Sequence, residues 1–243
     1  LYVNAKAIYL KILEKNQYNA NALWGQILCE TESKDNENFI NNVSKLNNLE
    51  IIDKIINCSN ESFAEELFNI FIKACQKLIE KNDDYVVNIV THILPFKFKK
   101  RETLKNIIME YGDNAIKNEK ININKDVILL LENENDYVDI LLKYANTAIY
   151  NSKFEYGELL NSKVKEIIGE NSQTLFHQIL IKYDSKNIIT LSKRMFIEND
   201  TYDYYLEQIQ KLSKEQANLL IQKFCYILIN AIELLCEKPI ENF

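Results

Sequence analysis

The chain is 243 residues long and carries 29 basic against 35 acidic side chains, a net charge of −6, with 47% hydrophobic and 26% charged residues. That balance belongs to a folded globular protein, and the acidic excess argues against a general nucleic-acid binder, which needs positive charge to displace phosphate counterions. Only 4 glycines and 2 prolines occur, too few for the many turns of a β-sandwich or for a glycine-rich phosphate loop.

Helical periodicity governs almost every stretch. Ala5, Ile8, Tyr9, Ile12 and Leu13 form a stripe at i, i+3, i+4, i+7 and i+8, the signature of an amphipathic helix. A polar break at 15–19 precedes a second helix over about 20–31, and shorter ones fit 36–47 and 49–57. Asn60 is placed to cap a long helix, 61–80, whose apolar residues cover so wide an arc that it should pack on two sides. Asp84 opens the next helix, and Pro95 ends it. Residues 96–100 make the best linker, a candidate division of the chain into 1–94 and 101–243. Further helices fit 101–118, 124–132, 136–150, 153–168, 172–183, 185–196 and 201–211. The last runs from the Ser213…Gln216 capping box to about 237. About thirteen helices and no convincing strand make the expected class all-α. The alternation Ile121-Asn122-Ile123-Asn124 is too short to count as a strand.

Two internal patterns stand out. Leu78-Ile79-Glu80 followed by Asp84-Tyr85-Val86 is echoed 52 residues later by Leu130-Leu131-Glu132 and Asp136-Tyr137-Val138. Each copy reads as a helix end, a polar turn and an Asp N-cap. In the final helix, Leu220, Phe224, Ile227, Ala231 and Leu234 form one apolar stripe, while Ile221, Cys225, Leu228, Ile232 and Leu235 form a second, one residue or about 100° away.

Motifs that carry chemistry are missing. His92 and His177 are each flanked by apolar residues and read as structural. No paired histidines or Cys/His cluster offer a metal its ligands, no nucleophile elbow or phosphate loop occurs, and no cofactor is expected. Glu132, Glu134 and Asp136 lack the glycine and closing glutamate of a calcium loop. The basic-aromatic run from Phe96 to Arg101 reads as a connector. No catalytic residue is assigned, and the chain is expected not to be an enzyme. The most apolar stretch, 217–236, is interrupted by polar residues, so no membrane span is expected. Five cysteines without CxxC spacing, and no leader pattern, suggest buried free thiols in the cytoplasm. The chain opens on Leu1 inside a helical pattern, which reads as a fragment of a longer protein.

Residues 5–28 resemble a tetratricopeptide (TPR) repeat. Ala5 and Tyr9 fall where that family places a small residue and an aromatic, Lys11-Ile12-Leu13-Glu14 is similar to its Lys-Ala-Leu-Glu, Asn16 and Asn19 sit at its turn, and Ala20-Asn21-Ala22-Leu23 resembles its Ala-Glu-Ala-Trp. Gln17, Leu23 and Ile27 depart from the usual proline, tryptophan and glycine, and the match covers about a tenth of the chain. The resemblance implies a stack of helix hairpins forming a right-handed α-α superhelix that binds a protein or peptide in a groove, with Asn21, Trp24 and Leu28 on its inner surface. Tyr202, Tyr204 and Tyr205, mixed with Asp200 and Asp203, form a second candidate edge for a partner. The alternatives are a compact helical enzyme or small-molecule sensor, or an accessory region whose activity lies upstream of Leu1.

Overall fold

The computed structural model describes residues 2–197 and 209–236. Among the described residues there are thirteen α-helices, one short 3-10 turn (Val43–Lys45) and no strand. In chain order the helices are α1 (Tyr2–Lys15), α2 (Ala20–Glu30), α3 (Asn36–Asn42), α4 (Glu50–Cys58), α5 (Glu61–Glu80), α6 (Tyr85–Ile93), α7 (Arg101–Lys117), α8 (Ile121–Leu131), α9 (Tyr137–Tyr150), α10 (Phe154–Ile168), α11 (Ser172–Lys182), α12 (Ile188–Ile197) and α13 (Lys214–Cys236). The all-α class expected from periodicity is therefore the class observed. The helix expected over 201–211 falls mostly outside the described residues.

Side-chain caps start several helices where the sequence places them. Asn19 Oδ1 accepts from Ala22 N, and Asn60 Oδ1 from Phe63 N. Asn171 makes a full capping box with Thr174. Other expectations need correcting. Asp84 and Asp136 do stand at the N-cap positions of α6 and α9, but neither side chain caps its helix. Asp84 accepts instead from the Tyr111 hydroxyl at 2.5 Å, which leaves its carboxylate turned away from the α6 amides. The Ser213…Gln216 box is half formed: Ser213 Oγ receives Gln216 N, while Gln216 Oε1 accepts from the backbone N and Oγ of Ser172. That glutamine ties α13 to α11 rather than closing its own helix end. The Ile121–Asn124 alternation is the first turn of α8, where Asn124 is buried and donates to Gly112 O.

One turn recurs down the chain. Glu32, Asn82, Glu119, Ser152 and Asp184 all adopt left-handed φ, between 44° and 64°. Each N–H bonds the carbonyl three residues back, and the next N–H bonds the carbonyl five back: Ser33 to Leu28, Asp83 to Leu78, Lys120 to Ala115, Lys153 to Ala148 and Ser185 to Leu180. This is the Schellman closure of a helix C-terminus. It follows α2, α5, α7, α9 and α11, so every second helix from α5 to α11 ends the same way, and the later turns are spaced 37, 33 and 32 residues apart. Glycine ordinarily fills this position because a Cβ makes left-handed φ costly. Here five other residues occupy it, which is why a glycine-poor sequence hides its own punctuation.

The chain divides into two compact units, Leu1–Gly112 with Asn122–Leu131, and Asp113–Ile121 with Glu132–Phe243. Residues 95–100 form a connection between α6 and α7 inside the first unit. In that unit α1 packs on α2, α2 on α4, α3 on α5, α4 on α5 and α6, and α5 on α6. The wide apolar arc of α5 thus meets three neighbours. A Cβ at Gly25 would lie 2.2–2.5 Å from the Tyr9 ring, so α1 and α2 approach until ring meets backbone. In the second unit α9 packs on α10, α10 on α11, α11 on α9 and α13, and α12 on α13. Gly157 allows the α9–α10 approach, since a Cβ there would meet Ile149 at 2.8 Å. Leu175, Ile179, Leu180, Leu191, Leu220 and Ile227 form the core of this unit together with Ile149.

Candidate functional site

A hollow of the first unit lies among α1, α2 and α4 and encloses about 820 Å³. Its floor is apolar: Leu23 and Ile51 are buried and Leu13 half-buried, with Leu10 at the edge. Its rim is polar and mixed, with Gln17, Gln26, Asn48 and Asn57 beside the charged Glu14, Glu50, Asp53 and Lys54. Carboxamides present a donor and an acceptor on one planar group, the pattern of a peptide bond, so the four carboxamides of this rim, over an apolar floor, suit a peptide backbone carrying an apolar side chain. The Glu30 carboxylate, accepting from Asn47 N at 2.8 Å and Asn48 N at 3.1 Å, fixes the loop that leads into α4.

Asp53 links this hollow to one of the two histidines. His92 Nδ1 lies 2.5 Å from Asp53 Oδ2, joining α6 to α4 across 39 residues of sequence, with the imidazole 21% and the carboxylate 41% exposed. The carboxylate holds the Nδ1 proton and so fixes the ring orientation. His177 sits in a different setting. It is fully buried in α11, its Nδ1 is 3.3 Å from Asn161 Oδ1, and Asn161 Nδ2 donates to Thr174 O at 2.8 Å. Because the asparagine's acceptor faces the ring, Nδ1 carries the proton and Nε2 is a buried acceptor without a hydrogen-bond partner. Burial, reinforced by the Lys223 charge, pushes the imidazole down to about 4. His177 is neutral at pH 7 and belongs to the core.

The residues expected to meet a partner fall on the other side of α2. Trp24 is buried, its ring edge-to-face with Phe39 at 4.9 Å and Phe71 at 6.1 Å, and its Nε1 donates to Asn36 Oδ1 at 3.2 Å. The indole offers little surface to a partner, and its size explains why: an aromatic that large is better placed filling the α2–α3–α5 junction. Leu28 is half-buried, and exposed Asn21 lines a separate polar hollow with Asn19, Asn60 and Cys58. At 100° per residue, Leu23 and Gln26 point away from the Asn21–Trp24–Leu28 face, so the α1–α2–α4 hollow uses the opposite side of the helix. Tyr202, Tyr204 and Tyr205 lie outside the described residues.

The connector after Pro95 behaves as expected. Phe98 packs on Phe68 with centroids 4.7 Å apart and Phe96 stacks on Phe98 at 6.0 Å, while Lys97, Lys99 and Lys100 keep their amines at the surface. The thiols are mixed rather than all buried: Cys29 and Cys75 are buried, Cys58 half-buried and Cys225 exposed, all of them free. Among the described residues no group of three or more His, Cys, Asp or Glu is gathered as a metal site would be, and no helix is long and apolar enough to cross a membrane. Comparison with protein-family models, curated proteins and solved structures finds no match to this chain.

Proposed function

We propose that the chain is a non-catalytic scaffold of TPR-like type, its helix pairs winding as a right-handed superhelix, that binds a protein or peptide segment in the hollow of α1, α2 and α4. The carrying observation is the repeated Schellman turn, spaced 37, 33 and 32 residues apart over its last four copies. Such recurrence is what a stack of similar helix pairs needs, and it lies near the 34-residue period of the family that residues 5–28 resemble. The Tyr9 ring seated on Gly25 supplies the small-residue crossing such hairpins require. An apolar floor under a rim of four carboxamides and three carboxylates suits a peptide rather than a phosphate. Free cysteines fit a reducing compartment, and we place the protein in the cytoplasm.

Selection of peptides on the 243-residue chain tests this. Peptides that bind should lose affinity about tenfold or more, some 1.4 kcal/mol, on Gln26→Arg, with the helical circular dichroism unchanged. Selection that enriches nothing, or peptides indifferent to Gln26→Arg, overturns the reading. A second reading rests on the His92–Asp53 pair, since Asp53 also lines the hollow. There the chain senses or converts a small molecule held at Asp53, with His92 bonded behind that carboxylate. His92→Gln separates the two, for it leaves peptide affinity unchanged under the scaffold reading and abolishes small-molecule binding under the other.

A further inference from the structure

We propose that the outward face of α13 is an interface between two copies of this chain, paired antiparallel. Ile221, Cys225, Leu228 and Ile232 follow one another at spacings of four, three and four, the 3.5-residue repeat that keeps a seam turned toward a partner helix. All four are exposed, Ile221 to 45%, Leu228 to 46% and Ile232 to 58%, and Ile229 widens the strip. On its other side α13 buries Leu220 and Ile227 in the core of its own unit. Among the described residues the helix therefore carries two apolar faces, and the fold of its own unit uses one of them.

Three features select a second copy as the occupant. The spacing matches a helix, not an extended strand or peptide, whose side chains alternate with period two. The order of sizes is self-complementary when reversed. Antiparallel pairing sets Ile221 against Ile232 and small Cys225 against large Leu228 of the second copy, so each layer is filled, whereas parallel pairing would set two cysteines together and leave a gap. Charge agrees as well. Between Leu219 and Ile232 the one Lys, Arg, Asp or Glu is Lys223, and its Nζ is turned onto the Phe176 ring of its own unit at 4.5 Å. A chain of net charge −6 thus presents a neutral strip, and two copies can meet there without setting like charges together. An isologous two-fold contact of this kind closes on itself. Covering these half-exposed side chains on both copies removes on the order of 1,000 Å² of surface, the size of a weak, concentration-dependent contact.

Sedimentation equilibrium of the 243-residue chain at about 100 μM tests the proposal, since mass action favours the pair at high concentration. The parent should run at twice its 28.6 kDa, Leu228→Glu and Ile232→Lys at the single mass with helical content unchanged, and Leu129→Glu, altering an exposed leucine in α8, at twice the mass. A monomeric parent overturns the proposal, as does a dimer that survives both α13 substitutions. Oxidation reads the orientation: antiparallel pairing holds the two Cys225 Cα atoms beyond the roughly 7 Å reach of a disulfide. A cross-link mapped to Cys225–Cys225 refutes it.

Discussion

Buried, neutral His177 makes the stability of the second unit depend on pH, and the size of that dependence follows from its surroundings. The ring is fully buried, its Nδ1 proton goes to Asn161, and its folded value is pushed down to about 4 from an ordinary 6.5. Above pH 6.5 the ring is neutral in both the folded and unfolded chain, and the histidine adds no pH dependence. Below 6.5 the unfolded chain takes up a proton that the folded chain refuses. Stability is therefore lost as pH falls from 6.5 toward 4, and the loss levels off below that. Between pH 7 and 4.5 the linkage comes to roughly 2 kcal/mol. His177→Gln removes the titration while keeping an N–H toward Asn161. Urea unfolding of both proteins, followed by circular dichroism at the two pH values, should show the parent losing roughly 2 kcal/mol more than the variant. Equal losses would mean that His177 is solvated or protonated in the folded chain, and the buried neutral ring described for this core would be wrong.

Other consequences can be measured alongside. Ser152 is exposed and held at φ 60°, so Ser152→Gly should relieve left-handed strain and stabilise the protein by about 1 kcal/mol in thermal or urea unfolding; a destabilised variant would contradict the turn geometry. Trp24→Ala should cost roughly 3–5 kcal/mol by opening a cavity beside Phe39 and Phe71, and the emission of this sole tryptophan should be blue-shifted in the parent. Emission at the wavelength of a solvated indole would refute its burial. The Cys75 thiol is buried, and burial pushes it up to about 12. It should resist a thiol reagent until the chain unfolds, whereas Cys225 in the Leu228→Glu variant should react in the folded state.

Periodicity and capping residues make the helices legible because both act over a few residues. The Asn60 cap and the wide apolar arc are enough, as local pattern alone, to locate α5 at Glu61–Glu80. What stays hidden depends on tertiary partners. Asp84 has the chemistry of a cap and the position of one, yet the Tyr111 hydroxyl claims its carboxylate from 27 residues away. Gln216 is likewise drawn off by Ser172. Trp24 illustrates the same limit in the candidate site. Family resemblance puts it on an exposed face, but whether an indole meets solvent or core is decided by Phe39 and Phe71, which no local pattern announces. The repeat is obscured for another reason. Its marker is a backbone conformation, carried by Glu, Asn, Glu, Ser and Asp in turn, so no single residue type marks it. The second stripe of α13, by contrast, is plain in the sequence; the structure adds that Ile221, Cys225, Leu228 and Ile232 in it are exposed.

Whether the α1–α2–α4 hollow receives a peptide is tested most directly by hydrogen exchange followed by mass spectrometry, with and without a saturating selected peptide. Added protection is expected over residues 10–26 and 48–57, with α9 to α12 unchanged. Protection confined to the Asn21–Asn60 side, or to the second unit, would contradict a peptide seated in that hollow.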